Sequence, residues 1–250
     1  MGKIISRRQL LQLGLSGAAL AILNRCAPGA VTGTPDPTRE GGTQKVLSNE
    51  NRPGFYIRYY KPFNAVDRGD WRLDVEGLVE SPRSFTYEDI QALPAVSQKS
   101  RMKCVEGWSA AAKWTGFTME TLLDEVGAKP EATWVHFHCA DDYYESLSIE
   151  ELLEDRVLFV YGMNDELLAD EYGAPLRLIV PRLYGYKGAK AITRLVFADE
   201  ELKGFWPTVG PYTTHGRIAA GSDYALDLDD RRDHPAGEVI YEDGLESTGS

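Results

Sequence analysis

Apolar residues recur along this chain in short bursts of two-residue period, broken by Gly, Pro and Asn/Asp turns, with only brief stretches of helical spacing. Trp71–Val79 alternates as a half-exposed strand does, and the aromatic run that follows the Pro53-Gly54 turn, Phe55–Tyr60, favours β-structure. Trp134–Ala140 alternates too, which sends His136 and His138 to one face and Phe137 and Cys139 to the other. Val157–Gly162 and Ala191–Phe197 read as further strands, and Tyr172–Pro181 as a loop feeding a buried one, with a turn at Asn164-Asp165-Glu166. Three segments read as short helices. Thr86–Pro94 opens with a Thr and an acid three residues on and closes at a proline; Thr118–Gly127 ends on a glycine; Ser148–Leu153 is a short capped turn. Together these elements predict an α+β class, β-rich, in a single domain.

The N-terminus is patterned differently. Arg7-Arg8 precede a charge-free apolar run from Leu10 to Leu23, which is shorter than the about 20 residues of a comfortable membrane span and has the length of an export signal's apolar region. The adjacent arginines give a twin-arginine pattern, a route that carries proteins already folded, so residues 1–26 are expected to direct export to the periplasm or the outer face of the cytoplasmic membrane. The same segment leaves membrane association open, as does lipidation at Cys26. Residues 27–47, rich in Gly, Pro and Thr, are expected to be a flexible linker, 48–222 the folded domain, and 223–250 a solvated polar tail.

A net charge of -11, without a dense Lys/Arg tract, argues against a general nucleic-acid binder. Cys26, Cys104 and Cys139 are too few and too scattered for a disulfide framework. Candidate chemistry concentrates in Lys99–Phe117, where Cys104 follows Arg101 and Lys103 and precedes Glu106-Gly107. A thiolate is both a nucleophile and a soft metal ligand, and nearby cations (Arg101, Lys103, Lys113) lower a thiol's pKa. An isolated cysteine also serves as a small buried hydrophobe, and the local residues leave both readings open. His136-x-His138 with Cys139 invites a zinc or copper reading, but the strand aims the cysteine away from the histidines and no fourth ligand is near. Arg177 lies in a strand expected to be buried, where a charge demands a partner that an anion would supply. Lys187 and Lys190 stand among Gly185 and Gly188, whose backbone N–H groups are open to an anion.

Three segments together resemble the molybdopterin-binding domain of the sulfite oxidase family: Met102–Ser109 with Trp114-Thr115-Gly116, Tyr172–Arg177 with Val180-Pro181, and Tyr184–Lys190. The likeness runs from about Asn49 to about Gly210 and is greatest to the exported, haem-free catalytic subunits of methionine sulfoxide reductase systems. The resemblance implies a single molybdopterin holding molybdenum, with Cys104 as the metal's thiolate ligand and the catalytic residue. It further implies that Arg177, Lys187 and Lys190 neutralise the pterin phosphate with help from Gly188 and Ala189, and that Asn51, Tyr56, Arg58, Cys139 and Tyr172 contact the cofactor.

Sulfite-oxidising members follow their cysteine with Ala-Gly-Asn-Arg, whereas Val105-Glu106-Gly107-Trp108 stands here. A carboxylate beside the metal would repel sulfite, so the resemblance implies oxygen-atom transfer with a neutral small molecule or methionine sulfoxide, of the sulfoxide or N-oxide type. Trp108, Trp114 and Trp206 are candidates for the pocket wall and equally for the core. No Cys-x-x-Cys-His haem motif occurs, so electrons are expected to pass through a separate haem protein. Sulfite dehydrogenase-type oxidation, a metal-free binding module of the same fold and a thiol enzyme using Cys104 remain as alternatives.

Overall fold

The computed structural model describes residues 43–45, 55–58, 65–238 and 248–249. The leader, Cys26, most of the linker, Asn51 and most of the final dozen residues lie outside the described residues. In chain order the strands are β1 (Thr43–Lys45), β2 (Tyr56–Arg58), β3 (Leu73–Gly77), β4 (Arg83–Phe85), β5 (Val96–Lys103), β6 (Trp108–Phe117), β7 (Trp134–Cys139), β8 (Tyr144–Ser148), β9 (Leu158–Met163), β10 (Glu166–Leu167), β11 (Arg177–Ile179), β12 (Ile192–Ala198), β13 (Gly221–Ala225), β14 (Asp230–His234) and β15 (Thr248–Gly249). Between them lie short α-helices, α1 (Tyr87–Gln91), α2 (Met119–Val126), α3 (Ile149–Leu152) and α4 (Phe205–Val209), and single 3-10 turns at Asp170–Tyr172 and Gly185–Lys187.

Local chemistry accounts for many of these boundaries. The Thr86 hydroxyl accepts the Asp89 N–H at 3.1 Å while the Asp89 carboxylate accepts the Thr86 N–H at 2.8 Å, a reciprocal cap that starts α1. Thr118 caps α2, and Gly127 ends it at a φ of 64°. Asn164 and Asp165 both take positive φ between β9 and β10, as a tight hairpin turn requires.

Two large sheets build the domain, and β1 and β2 form a separate antiparallel pair. One runs β4-β3-β12-β7-β8, with β12 parallel to β3 and antiparallel to β7. The larger runs β10-β9-β6-β13-β14, with β5 added to β6 and β11 to β9. A core of Leu73, Val75, Phe137, Leu195 and Phe197 from the first sheet and Phe117, Phe159 and Leu178 from the second lies between them. The larger sheet is covered on its other face as well, where Trp108, Ala110, Ala112 and Trp114 of β6 and Leu158 and Val160 of β9 pack on Phe55, Ile57 and Tyr172. Because β9 feeds both cores alternately, all six of its residues are buried, which is why it reads as a continuous apolar run.

The β5–β6 hairpin carries Cys104 at its turn and has no strand pattern in the sequence. Its inner positions include Gln98, Ser100, Arg101, Lys103 and Ser109, all buried and polar, so the usual alternation is missing. The expected polar tail after residue 222 is corrected as far as Glu238: β13 lies parallel to β6, pairing Tyr224 with Trp108, and β14 folds back on β13. Aspartates that read as solvated are instead partners for the buried cations of β5, with Asp227 bidentate on Arg101 at 2.6 and 2.9 Å and Asp223 on Lys103.

At Gly116, where β6 meets β9, a Cβ would stand 1.8 Å from the Phe159 carbonyl oxygen, a backbone atom that cannot swing away. Gly116→Ala is therefore expected to lower stability by about 3 kcal/mol, read as a shifted midpoint in urea denaturation at unchanged slope.

Candidate functional site

An open cleft lies where the β5–β6 turn, β2, β11 and the Tyr184–Lys190 loop converge. The turn supplies Met102, Cys104, Val105, Glu106 and Trp108 to its wall. Cys104 is half-buried and closes the turn through its own N–H, donated to the Trp108 carbonyl at 2.9 Å, while Gly107 takes the positive φ of 84° that so tight a reversal needs. The Cys104 Sγ lies 3.7 Å from Glu106 Oε2, and Trp108 Nε1 donates to the same carboxylate oxygen at 3.4 Å.

The cations expected to activate Cys104 have other partners. Arg101 and Lys103 are neutralised by Asp227 and Asp223, and Lys113 pairs with Asp165 on the surface. This corrects the local electrostatic expectation for these three, each of which is engaged by a carboxylate.

Positive charge reaches the cleft from elsewhere. Arg177 is buried on β11, with Nη1 donating to the Tyr172 carbonyl at 2.9 Å and the guanidinium 5.4 Å from the centre of the Trp114 ring. Among the described residues no carboxylate pairs with it and its Nε has no partner. Burial pushes its pKa below the usual range, yet it stays charged at neutral pH. Lys190 lies beside it, and burial together with the Arg177 charge lowers its ammonium to about 8, partly offset by Asp141. Gly188 completes the cradle: a Cβ there would press to 2.8 Å on the Leu178 carbonyl oxygen and lie 3.8 Å from Arg177 Nη2. A buried guanidinium with no carboxylate on it among the described residues and a half-buried ammonium beside it, both on the cleft wall, fit the phosphate of an anionic cofactor.

Lys187 does not join them. Its ammonium is buried and donates to Glu145 Oε1 at 2.6 Å, the Ser146 carbonyl at 2.8 Å and the Thr214 carbonyl at 2.6 Å, which occupies all three of its donors. The expected phosphate contact is thereby corrected to an internal ion pair. Cys139 is buried in the core between the sheets, with its thiol pKa pushed up by burial, and Ala189 lies in that core as well. Tyr56 and Tyr172 line the cleft, Arg58 closes β2, and Asn51 lies outside the described residues. Trp108 and Trp206 are wall residues; Trp114 is wholly buried, its Nε1 donating to the Ser100 carbonyl at 3.1 Å. His136 and His138 sit on the exposed side of β7 as their alternation requires, with His136 Nε2 2.8 Å from the Glu200 carbonyl oxygen. Sequence reasoning missed Asp141, Tyr143 and Tyr212, which reach the cleft from loops with no motif to mark them, and it assigned no role to Met102 at the end of β5.

The sequence pattern of the oxidoreductase molybdopterin-binding domain matches residues 60–206. This chain belongs to that family. A chain of Azospira oryzae, named provisionally as protein-methionine-sulfoxide reductase subunit YedZ1, is 33% identical over 84% of this chain and 88% of its own length. The protein-methionine-sulfoxide reductase catalytic subunit MsrP of Campylobacter jejuni is 30% identical over 88% of this chain and 86% of its own. Among solved structures, the sulfane dehydrogenase SoxCD of Paracoccus pantotrophus shares the fold, with a TM-score of 0.61 at 22% identity, over 82% of this chain and 57% of that one. The expected β-rich fold of the sulfite oxidase type is thus borne out, and the chain is a molybdopterin-binding oxidoreductase.

Lys190 gives the cradle a pH signature. Its folded pKa of about 8 lies below its ordinary 10.5, so the penalty for its charge is fully present below pH 8 and fades as pH rises towards 10.5. Lys190→Met is expected to stabilise the cofactor-free protein at pH 7 by about 1 kcal/mol, discounted for the water that reaches the cleft, and to lose that gain near pH 10. Urea denaturation at the two pH values checks this, and the same variant is expected to retain less molybdopterin.

Proposed function

We propose that this chain is an exported molybdenum–molybdopterin enzyme that reduces a neutral sulfoxide or N-oxide type substrate, protein-bound methionine sulfoxide included, with electrons from a separate haem protein. The observation that carries the reading is the presence in one cleft of the Cys104 thiol and the buried Arg177 guanidinium, with Lys190 beside it. The names of the relatives support the substrate class, and the twin-arginine pattern at Arg7-Arg8 supports export after cofactor loading in the cytoplasm.

When bound, molybdenum on its pterin supplies two-electron oxygen-atom transfer. The chain's own residues do the rest. Cys104 would hold the metal through its thiolate, and Arg177 and Lys190 would hold the phosphate. The aromatic wall of Trp108 and Trp206, the latter 5.5 Å from the Tyr212 ring, offers an apolar seat for a thioether-like group. Glu106, exposed at the mouth beside the thiol, sets the charge that an entering substrate meets. Sulfite would be repelled there, whereas a neutral S=O group would not. A thiol hydrolase or transferase reading lacks a base, since no histidine is among the described residues that line the cleft.

Cys104→Ser is expected to fold normally, lose turnover and retain little molybdenum by elemental analysis; a Ser variant with wild-type turnover overturns the reading. Glu106→Gln is expected to strengthen inhibition by sulfite or sulfate about fivefold while leaving the KM for a neutral sulfoxide nearly unchanged, as measured by steady-state inhibition kinetics.

A further inference from the structure

The family pattern ends at residue 206, yet the turn that carries Cys104 is held from beyond it. Strand β13 and the residue after it donate two backbone hydrogen bonds to the descending side of the turn, from Tyr224 N–H to the Gly107 carbonyl at 3.0 Å and from Leu226 N–H to the Ser109 carbonyl at 2.8 Å. Between these donors and the start of the strand stands Asp223, 1% exposed. Its Oδ2 accepts from Lys103 Nζ, and its Oδ1 accepts from Ser109 Oγ at 3.1 Å. Lys103 and Ser109 face each other across the last β5–β6 rung before the Cys104 turn. One buried carboxylate therefore ties both ends of the turn together, and Arg232 of β14, 3.8 Å away and itself paired with Glu238, backs it.

We propose that Asp223 is the positioning residue for the Cys104 turn, so that hairpin β13–β14 is a working part of the cofactor site although it lies outside the family's matched span. The physical case rests on burial. Lys103 and Ser109 are almost fully shielded from water, so neither can exchange Asp223 for a solvent partner, and the turn's foot has a single satisfied arrangement. Lys103 also bridges to Tyr184 at the start of the Tyr184–Lys190 loop, so the same foot sets the distance between the thiol's turn and the anion cradle. Asp223 touches neither Cys104 nor the cleft; it acts through the strand ends.

The proposal rests on the reading of Cys104 as the metal's thiolate, and its test is arranged to fail separately. In cofactor-free protein, iodoacetamide labelling followed by peptide mass spectrometry reads Cys104 against the core residue Cys139. Asp223→Asn is expected to label at Cys104 several-fold faster than wild type while Cys139 stays protected. Ser109→Ala, which removes one strut and leaves the buried charge pair, is expected to shift Cys104 in the same direction by less. If Cys139 is exposed along with Cys104 in Asp223→Asn, that variant has lost its fold and Ser109→Ala decides by the same criterion. The proposal is overturned if neither variant raises Cys104 labelling ahead of Cys139. In protein carrying molybdenum, the Mo(V) resonance is expected to broaden in both variants, and a signal identical to wild type in both also overturns it. Absence of molybdenum from wild-type protein would sink the thiolate reading instead, leaving the labelling comparison intact.

Discussion

Buried positive charge is the constraint on which this domain depends. A cation removed from water needs a compensating partner, and the described part of the chain meets that need in two different ways. Arg101, Lys103 and Lys187 each receive an internal carboxylate, from Asp227, Asp223 and Glu145. Arg177 receives no carboxylate among the described residues, and it opens on the cleft with Lys190 beside it. The first group locks strands and loops; Arg177 leaves an electrostatic deficit that an anionic cofactor completes. Loaded and unloaded protein should for that reason differ in stability as well as in activity.

The larger sheet makes this arrangement rigid. Because β6 and β9 are covered on both faces, the strands that carry the Cys104 turn and the Arg177 register have little freedom to slide. Trp114 links the two: its ring lies beneath the Arg177 guanidinium, and its indole N–H is fixed to the Ser100 carbonyl on β5. The thiol and the cradle thus belong to one packed unit, although 73 positions separate Cys104 from Arg177 in the chain.

Much of the fold was legible from the residues. The capping box at Thr86, the terminal glycine of α2, the positive-φ pair Asn164-Asp165 and the alternation of β7 all act within a few residues, and each is where the pattern puts it. The β5–β6 hairpin and β13–β14 were not legible, for one reason. Their inward positions are polar, and the cations Arg101 and Lys103 are stable there because Asp227 and Asp223 meet them from about 120 residues away. Lys187 is the same case within the site: among glycines it has the look of an anion ligand, and only the approach of Glu145 from β8 engages it.

The sequence by itself determined the class of fold, the cysteine, the family likeness and the presence of an anion-seeking segment between Arg177 and Lys190. These are local properties: side-chain type, spacing and turn chemistry. Which cations remain open to a ligand, which are neutralised within the fold, and what holds the Cys104 turn in place were decided by tertiary structure alone. The physical reason is that charge compensation in a low-dielectric interior depends on distance in space, and the chain brings Asp223 to Lys103 only when both sides of the sheet have closed.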